Sequence, residues 1–264
     1  MSSLKVVLPC LLLTAYCSLI AHADPLAENQ ARIGVITGDV GLLTQGAPEW
    51  IEPHEGLPIE PGDRIRTGED GRIELIMGEN VLWTLEPETE VETEHMELNA
   101  GRLNLTSGSL LGKVDSARAA GVAQRWDFNT PMAVAAVRGT EFALQFSKGE
   151  GSHLGVFEGT VELEPAETAE GLQPPVRVNA GQEAVAARGK PIRMLGKFSP
   201  SIQSLSAKRV ILERRQNQIQ NTWSPFTTTV RAETRKKFVA APPKRARVRP
   251  HPAHPRRSPH LSLQ

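Results

Sequence analysis

Apolar and polar residues alternate in short bursts along most of this chain. In Arg72–Met77, Ile73 and Leu75 share one face, while Arg72, Glu74 and Ile76 share the other. Val161-Glu162-Leu163-Glu164 repeats the alternation, and in Arg102–Thr106 it is Leu103 and Leu105 that point inward. Period two is the signature of a strand with one buried and one wet face. Further segments of this type are Ile33–Thr37, Val40–Thr44, Arg64–Thr67, Val81–Leu85, Ala133–Val137, Glu141–Phe146, Gly155–Phe157, Thr160–Leu163 and Gln182–Ala187. Gly, Pro and Asp turns separate them. Pro61-Gly62-Asp63 presets φ at the proline and permits positive φ at Gly62, just before a strand. Gly68-Glu69-Asp70-Gly71 closes a hairpin, and Ala180-Gly181-Gln182 resets the chain before the last strands. No helical pattern separates these strands, so a doubly wound α/β fold with a nucleotide crevice is not expected. The pattern predicts an all-β body, either a β-solenoid or a β-sandwich.

The pattern changes after residue 196. Ser199-Pro200-Ser201 reads as a cap, and a helix is predicted from about Ser201 to Thr222, barred from continuing by Pro225. Ile202, Leu205, Ile211, Leu212 and Ile219 form a partial apolar stripe, with Lys208, Arg209, Arg214 and Arg215 beside it. Such a helix either docks on the β body or serves an anionic partner. From Ala240 onward Pro, Arg, Lys and His dominate, a composition that cannot bury a core. The expected plan is a leader (1–23), a β domain (24–196), one amphipathic basic helix (197–224) and a disordered basic tail (225–264).

The leader is predicted from Lys5, the 15-residue apolar run Val6–Ile20 and the small residues Ala21 and Ala23 around His22. This is a secretory signal pattern, too short for an anchor helix, with cleavage expected after Ala23. A lipoprotein signal is disfavoured because Tyr16 precedes Cys17. Cys10 and Cys17 are the only cysteines of the 264-residue chain, so the exported portion is expected to lack disulfides and thiolate metal sites. The expected location is the periplasm, with no transmembrane helix after cleavage.

Charge changes the picture further. The chain carries 30 basic and 30 acidic side chains, but residues 24–196 hold 28 acidic against 14 basic, and residues 197–264 hold 2 against 15. Two halves of opposite sign point to an interaction tail. Aromatics are only 5% of the chain, which argues against a base-stacking surface, and no nucleic-acid partner is expected. Anionic lipid, peptidoglycan carboxylates or the acidic body itself are the candidate targets of the tail. His251, His254 and His260 offer weak copper or nickel ligation, but a solvated tail is the expectation.

Four stretches in order resemble the FecR domain. Ile33-Gly34-Val35-Ile36-Thr37-Gly38-Asp39-Val40 is similar to its opening strand. Leu57–Thr67, containing Gly62-Asp63, runs into Gly71–Leu75 as in its glycine–aspartate segment. Phe128-Asn129-Thr130-Pro131, then Ala133–Val137 and Arg138-Gly139-Thr140-Glu141-Phe142, resemble its most specific signature. Val156–Val161 and Asn179–Ala184 close the match, which spans about residues 32–188. The resemblance implies a mostly β extracytoplasmic domain related to the periplasmic part of ferric-citrate-type regulators. Those regulators add a cytoplasmic anti-sigma segment and a membrane helix. Neither is read in this sequence, so anti-sigma activity is not expected.

The signature residues Arg138, Gly139, Thr140, Glu141, Gly62 and Asp63 are the candidate binding or structural residues. A guanidinium beside a buried strand requires an acceptor. Asp63 and Glu141 are the expected partners of Arg138, in a structural ion pair or, alternatively, an anion-recognition site. Thr140 is expected to cap or pair its turn.

No catalytic motif is found. There is no G-x-S-x-G, H-E-x-x-H or Walker A sequence. His54-Glu55 lacks a second histidine, and Gly108–Val114 has the wrong glycine spacing for a phosphate loop, reading instead as a strand with a turn. Glu86, Glu88, Glu90, Glu92 and Glu94 read as a solvated strand face, with weak divalent-cation binding as the alternative. No cofactor and no metal are expected. The expected function is a non-enzymatic envelope protein that binds a protein or cell-wall glycan partner and tethers through its tail to anionic material. The alternatives are a ligand-sensing component of envelope signal transduction and, more remotely, an envelope-polymer hydrolase.

Overall fold

The computed structural model describes residues 24–97, 99–115, 124–166, 174–241 and 246. The leader and the tail beyond 246 therefore lie outside the described residues. In chain order the first strands are β1 (Ala31–Thr37), β2 (Val40–Leu43), β3 (Arg64–Thr67), β4 (Arg72–Met77), β5 (Val81–Leu85) and β6 (Glu90–Met96). The long β7 (Ala100–Val114) precedes β8 (Arg125–Asn129), β9 (Ala133–Val137), β10 (Glu141–Ser147) and β11 (Gly151–Glu158). Then come β12 (Thr160–Pro165), β13 (Val176–Asn179), β14 (Glu183–Ala186) and β15 (Arg193–Leu195). Three helices finish the described chain: α1 (Pro200–Ser206), α2 (Arg209–Thr222) and α3 (Thr228–Ala240).

The strands form two sheets that face each other as a sandwich and share β7. One sheet runs β1-β4-β5-β7-β10-β11-β14-β15 and the other β2-β3-β6-β7-β8-β9-β12-β13. All pairings are antiparallel except β7 with β8. The first half of β7 pairs with β6 and β8, and the second half with β5 and β10. It changes sheet at Gly108, where φ is +87°. A Cβ there would stand 2.4 Å from the Thr89 hydroxyl, so only glycine lets the strand pass this corner.

The core lies between the sheets. Ile33, Ile73 and Leu75 from one side meet Val91, Leu103 and Leu105 from the other. An edge-to-face chain of Trp83, Trp126, Phe128 and Phe142, with ring centroids 4.9–5.3 Å apart, runs through its centre. Burying these rings supplies much of the hydrophobic driving force in a fold without disulfides.

The first sheet is apolar on its outer face too. Ile76, Leu82, Leu111 and Ala143 point away from the sandwich core and are covered by Ile202, Leu205, Leu212 and Ile219 of α1 and α2. That is why every residue of β5 is buried. The predicted single helix is interrupted at Ala207 and Lys208, so that the first turn and the longer helix each lie flat on the curved sheet. The Ser199 hydroxyl caps α1 as its sequence predicts. The helical region also extends further than expected. α3 occupies residues assigned to the disordered tail, because Thr227 caps a new helix after Pro225 and Arg231 is buried beneath it. Among the described residues no helix is long and apolar enough to cross a membrane.

Candidate functional site

The acidic sandwich and the basic helical arm meet along a seam of buried carboxylates. Glu141 opens β10 with its side chain on the outer face of the first sheet, fully buried. Arg209, in the first turn of α2, grips it with two bonds, Nε to Oε1 at 2.7 Å and Nη2 to Oε2 at 3.0 Å. Lys113 on the neighbouring strand adds a third contact at 3.4 Å. The bidentate bond to Glu141 pushes the Arg209 guanidinium pKa further up, against the effect of burial. Two turns along α2, Arg215 donates to both oxygens of Glu74 at 2.9 and 3.1 Å. Lys208 joins Arg72 on Glu86. Gln216 donates to the Glu79 carbonyl at 2.7 Å. A cavity of about 220 Å³ lies between α2 and the sheet, lined by Arg72, Glu74, Glu86, Lys208 and Arg215 among others.

At the start of α1, Glu183 of β14 bridges two partners. One oxygen contacts His153 Nδ1 at 2.7 Å and the other accepts the Ser199 N–H at 2.6 Å. The carboxylate thus fixes the point where the chain leaves the sandwich.

α3 makes the second half of the seam, against the loop before β3. Arg231 donates to the carbonyls of Ala31 and Ile59 and pairs with Glu60 at 3.0 Å. Arg235 donates to the Pro58 carbonyl at 3.0 Å and pairs with Asp63. Asp63 is fully buried and also accepts the Glu60 N–H at 2.9 Å. Its burial raises the carboxyl pKa despite the guanidinium beside it, because desolvation outweighs that attraction. Between α2 and α3 the chain is pinned by Arg32, whose guanidinium lies 4.0 Å from the ring centres of both Trp223 and Phe226. Burial and the nearby Arg231 lower the Arg32 pKa to about 10.

The structure redistributes the roles expected of the signature. Arg138 is exposed and has no ion-pair or hydrogen-bond partner among the described residues. It belongs neither to Asp63 nor to Glu141, since the β9–β10 turn aims it at solvent while both carboxylates take cations from the arm. Gly139 (φ +62°) and Gly159 (φ +82°) make adjacent corners. A Cβ on Gly159 would stand 2.7 Å from the Gly139 carbonyl oxygen, so this pair sets how closely the two crossings stack. Thr140 pairs through its backbone: its carbonyl accepts the Val114 N–H at 2.9 Å, while its buried hydroxyl has no partner. Gly62 turns the chain before β3, and its N–H donates to the Thr93 carbonyl. The glutamate series is also split. Glu86 is buried at the seam, Glu88 sits at a turn with φ +56°, and only Glu90, Glu92 and Glu94 lie on β6.

Sequence alone does not show Arg209 and Arg235 as the partners of the signature carboxylates, nor Arg215 and Arg231 as those of Glu74 and Glu60. The available signal was the charge asymmetry combined with buried-strand carboxylates, since a buried Glu141 or Asp63 demands a cation from somewhere. No group of three or more His, Cys, Asp or Glu among the described residues is arranged to hold a metal ion. The seam neutralises and fastens; its carboxylates are already engaged by cations and backbone donors.

Comparison with curated proteins returns no match. Among solved structures, two crystal structures of a candidate anti-sigma factor from Parabacteroides distasonis are similar to this chain. They share 14% and 13% identity, with TM-scores of 0.43 and 0.44. Each match covers 55% of this chain and 63% of the other, so the chain spans somewhat under two thirds of that protein's length. Residues 63–162 match the family model described as FecR protein, a stretch from Asp63 through Glu141 that includes both buried signature carboxylates. Over these 100 residues the chain is similar to the FecR protein family.

Proposed function

We propose that this protein is a non-enzymatic FecR-domain module of the cell envelope that binds a protein or glycan partner and holds anionic envelope material through its basic C-terminal segment. The observation that carries this reading is the division of labour among the arm's cations. Lys208, Arg209, Arg215, Arg231 and Arg235 are spent on the sandwich. The Lys236 and Lys237 side chains at the end of α3 have no partner among the described residues, and the sequence that follows adds Lys244, Arg245, Arg247, Arg249, Arg256 and Arg257. The arm therefore anchors at its root, and its sequence adds further cations beyond the anchored part. Each such cation near an anionic surface contributes about 1 kcal/mol at most and is screened by salt.

Removing residues 242–264 tests this. The truncated protein is expected to keep its thermal stability and to lose salt-sensitive retention on isolated envelopes. Unchanged retention would rule the tether out. The FecR match favours a second reading, in which the module relays a ligand or partner signal to a membrane protein. Capture of a transporter or receptor from envelope extract, in place of lipid or cell-wall retention, would favour it.

A further inference from the structure

At the end of the sandwich opposite the Gly139–Gly159 corners, three hairpin turns enclose a cleft of about 520 Å³. That is within the size range of small-molecule sites. Its floor includes Met132 and Phe146, and around it stand Lys148, Arg188 and Lys190, with Glu150 the one carboxylate. The turns are locked together. Thr130 and Ser152 share a buried hydrogen bond of 2.6 Å, which ties the β8–β9 turn to β11. Gly151, with φ +94°, passes so close to β14 that a Cβ would stand 2.3 Å from the Ala186 carbonyl oxygen. The cleft is thus built from pinned backbone, and its cations are carried on short turns of fixed position.

The charge is the telling feature. The body is strongly acidic, and its other described cations are almost all engaged: Arg64, Arg72, Arg102, Lys113, Arg125 and Arg177 each face a carboxylate. The side chains of Lys148, Arg188 and Lys190 have no ion-pair or hydrogen-bond partner among the described residues, and those of Arg193 in β15 and Lys197 just beyond it are likewise unpaired. A protein with acidic groups to spare leaves three cations around one cleft unneutralised. We propose that this cleft binds a phosphate-bearing ligand of about the size of one sugar, its phosphate held by Lys148, Arg188 and Lys190 and its less polar part resting on Met132 and Phe146. Multiple convergent cations favour a dianionic phosphate over a single carboxylate. The site is independent of the tether, and its failure would leave that reading intact.

The test uses the full chain, titrated calorimetrically with glucose 1-phosphate and with glucose, and mixed with phosphatidylcholine vesicles with or without 30% phosphatidylglycerol. The expected result is saturable binding of glucose 1-phosphate with none of glucose. The K148Q/R188Q/K190Q variant should weaken it about tenfold or more. Arg138→Gln should leave it unchanged and Glu150→Gln should tighten it. If the soluble phosphate does not bind but the triple variant lowers vesicle binding by a similar factor in a protein already truncated at 241, the phosphate is a lipid headgroup and the site stands. Equal behaviour of wild type and triple variant towards both probes, or glucose binding as well as its phosphate, overturns the proposal. Unchanged far-UV circular dichroism of the variants, whose substitutions are all at exposed positions, establishes that folding is not the cause.

Discussion

Glu141 and Arg138 stand three residues apart in the same signature and have opposite fates. Removing the charge of Glu141 strands Arg209 and Lys113 at a buried site, and breaking such a pair typically costs about 3–5 kcal/mol. Because Arg209 is one-third exposed, Glu141→Gln is expected near or below the lower end, about 2–3 kcal/mol by urea denaturation. Arg138→Ala is expected within about 0.5 kcal/mol of wild type in the same measurement. Gly159→Ala combines positive φ with a backbone clash and should destabilise by more than about 1 kcal/mol. Asp63 gives a pH test. Its folded pKa is raised above 3.8, so the folded state holds a proton that the unfolded state releases. Its contribution to stability therefore falls as pH rises from about 3.8 through the raised value. Asp63→Asn should flatten that part of the stability–pH profile relative to wild type; parallel profiles would contradict the assignment. The sequence singles out Asp63 and Glu141, and the structure buries both. It could not name their partners, because residues 172 and 68 positions away are brought to them only by tertiary folding.

Among the elements, most strands were legible. β4, β5 and β9 have the bounds their alternation predicts, since one face of each meets the core and turn residues flank both ends. β7 was read in two pieces, a strand at Arg102–Thr106 and a strand with a turn at Gly108–Val114. Gly108 looks like an interruption but is a corner within one strand. β13 and β15 are edge strands of four and three residues, too short to display a period. α3 was missed because its stripe is weak. It is held by two arginines on backbone carbonyls and carboxylates, an arrangement that hydrophobic periodicity does not register. The arm's attachment is accordingly of two kinds. Leu212→Ala should cost about 2–5 kcal/mol and expose the α2 region to limited proteolysis, as expected for a buried leucine. Val210, on the outward face, should tolerate alanine without either effect. Equal protease sensitivity of the two variants would show that α2 is not fastened by its apolar stripe.

Across the whole molecule, the balanced formal charge of the chain is the sum of an acidic sandwich and a basic arm that neutralise each other where they touch. Half-buried pairs are screened less by salt than exposed ones. Under the proposed tether, moderate salt should therefore release the protein from envelopes well before it loosens the arm, which separated transitions in retention and in protease protection would register. The arm also closes the molecule last in sequence. The outer face of the first sheet gains Ala143 in β10, but its cover is complete only at Ile219, 76 residues later. Whichever way the chain emerges, there is an interval in which Ile76, Leu82 and Leu111 lack their full cover. A nascent chain stalled within it offers a greasy, negatively charged platform to whatever escorts it, and a stop codon before residue 209 would make that exposure permanent.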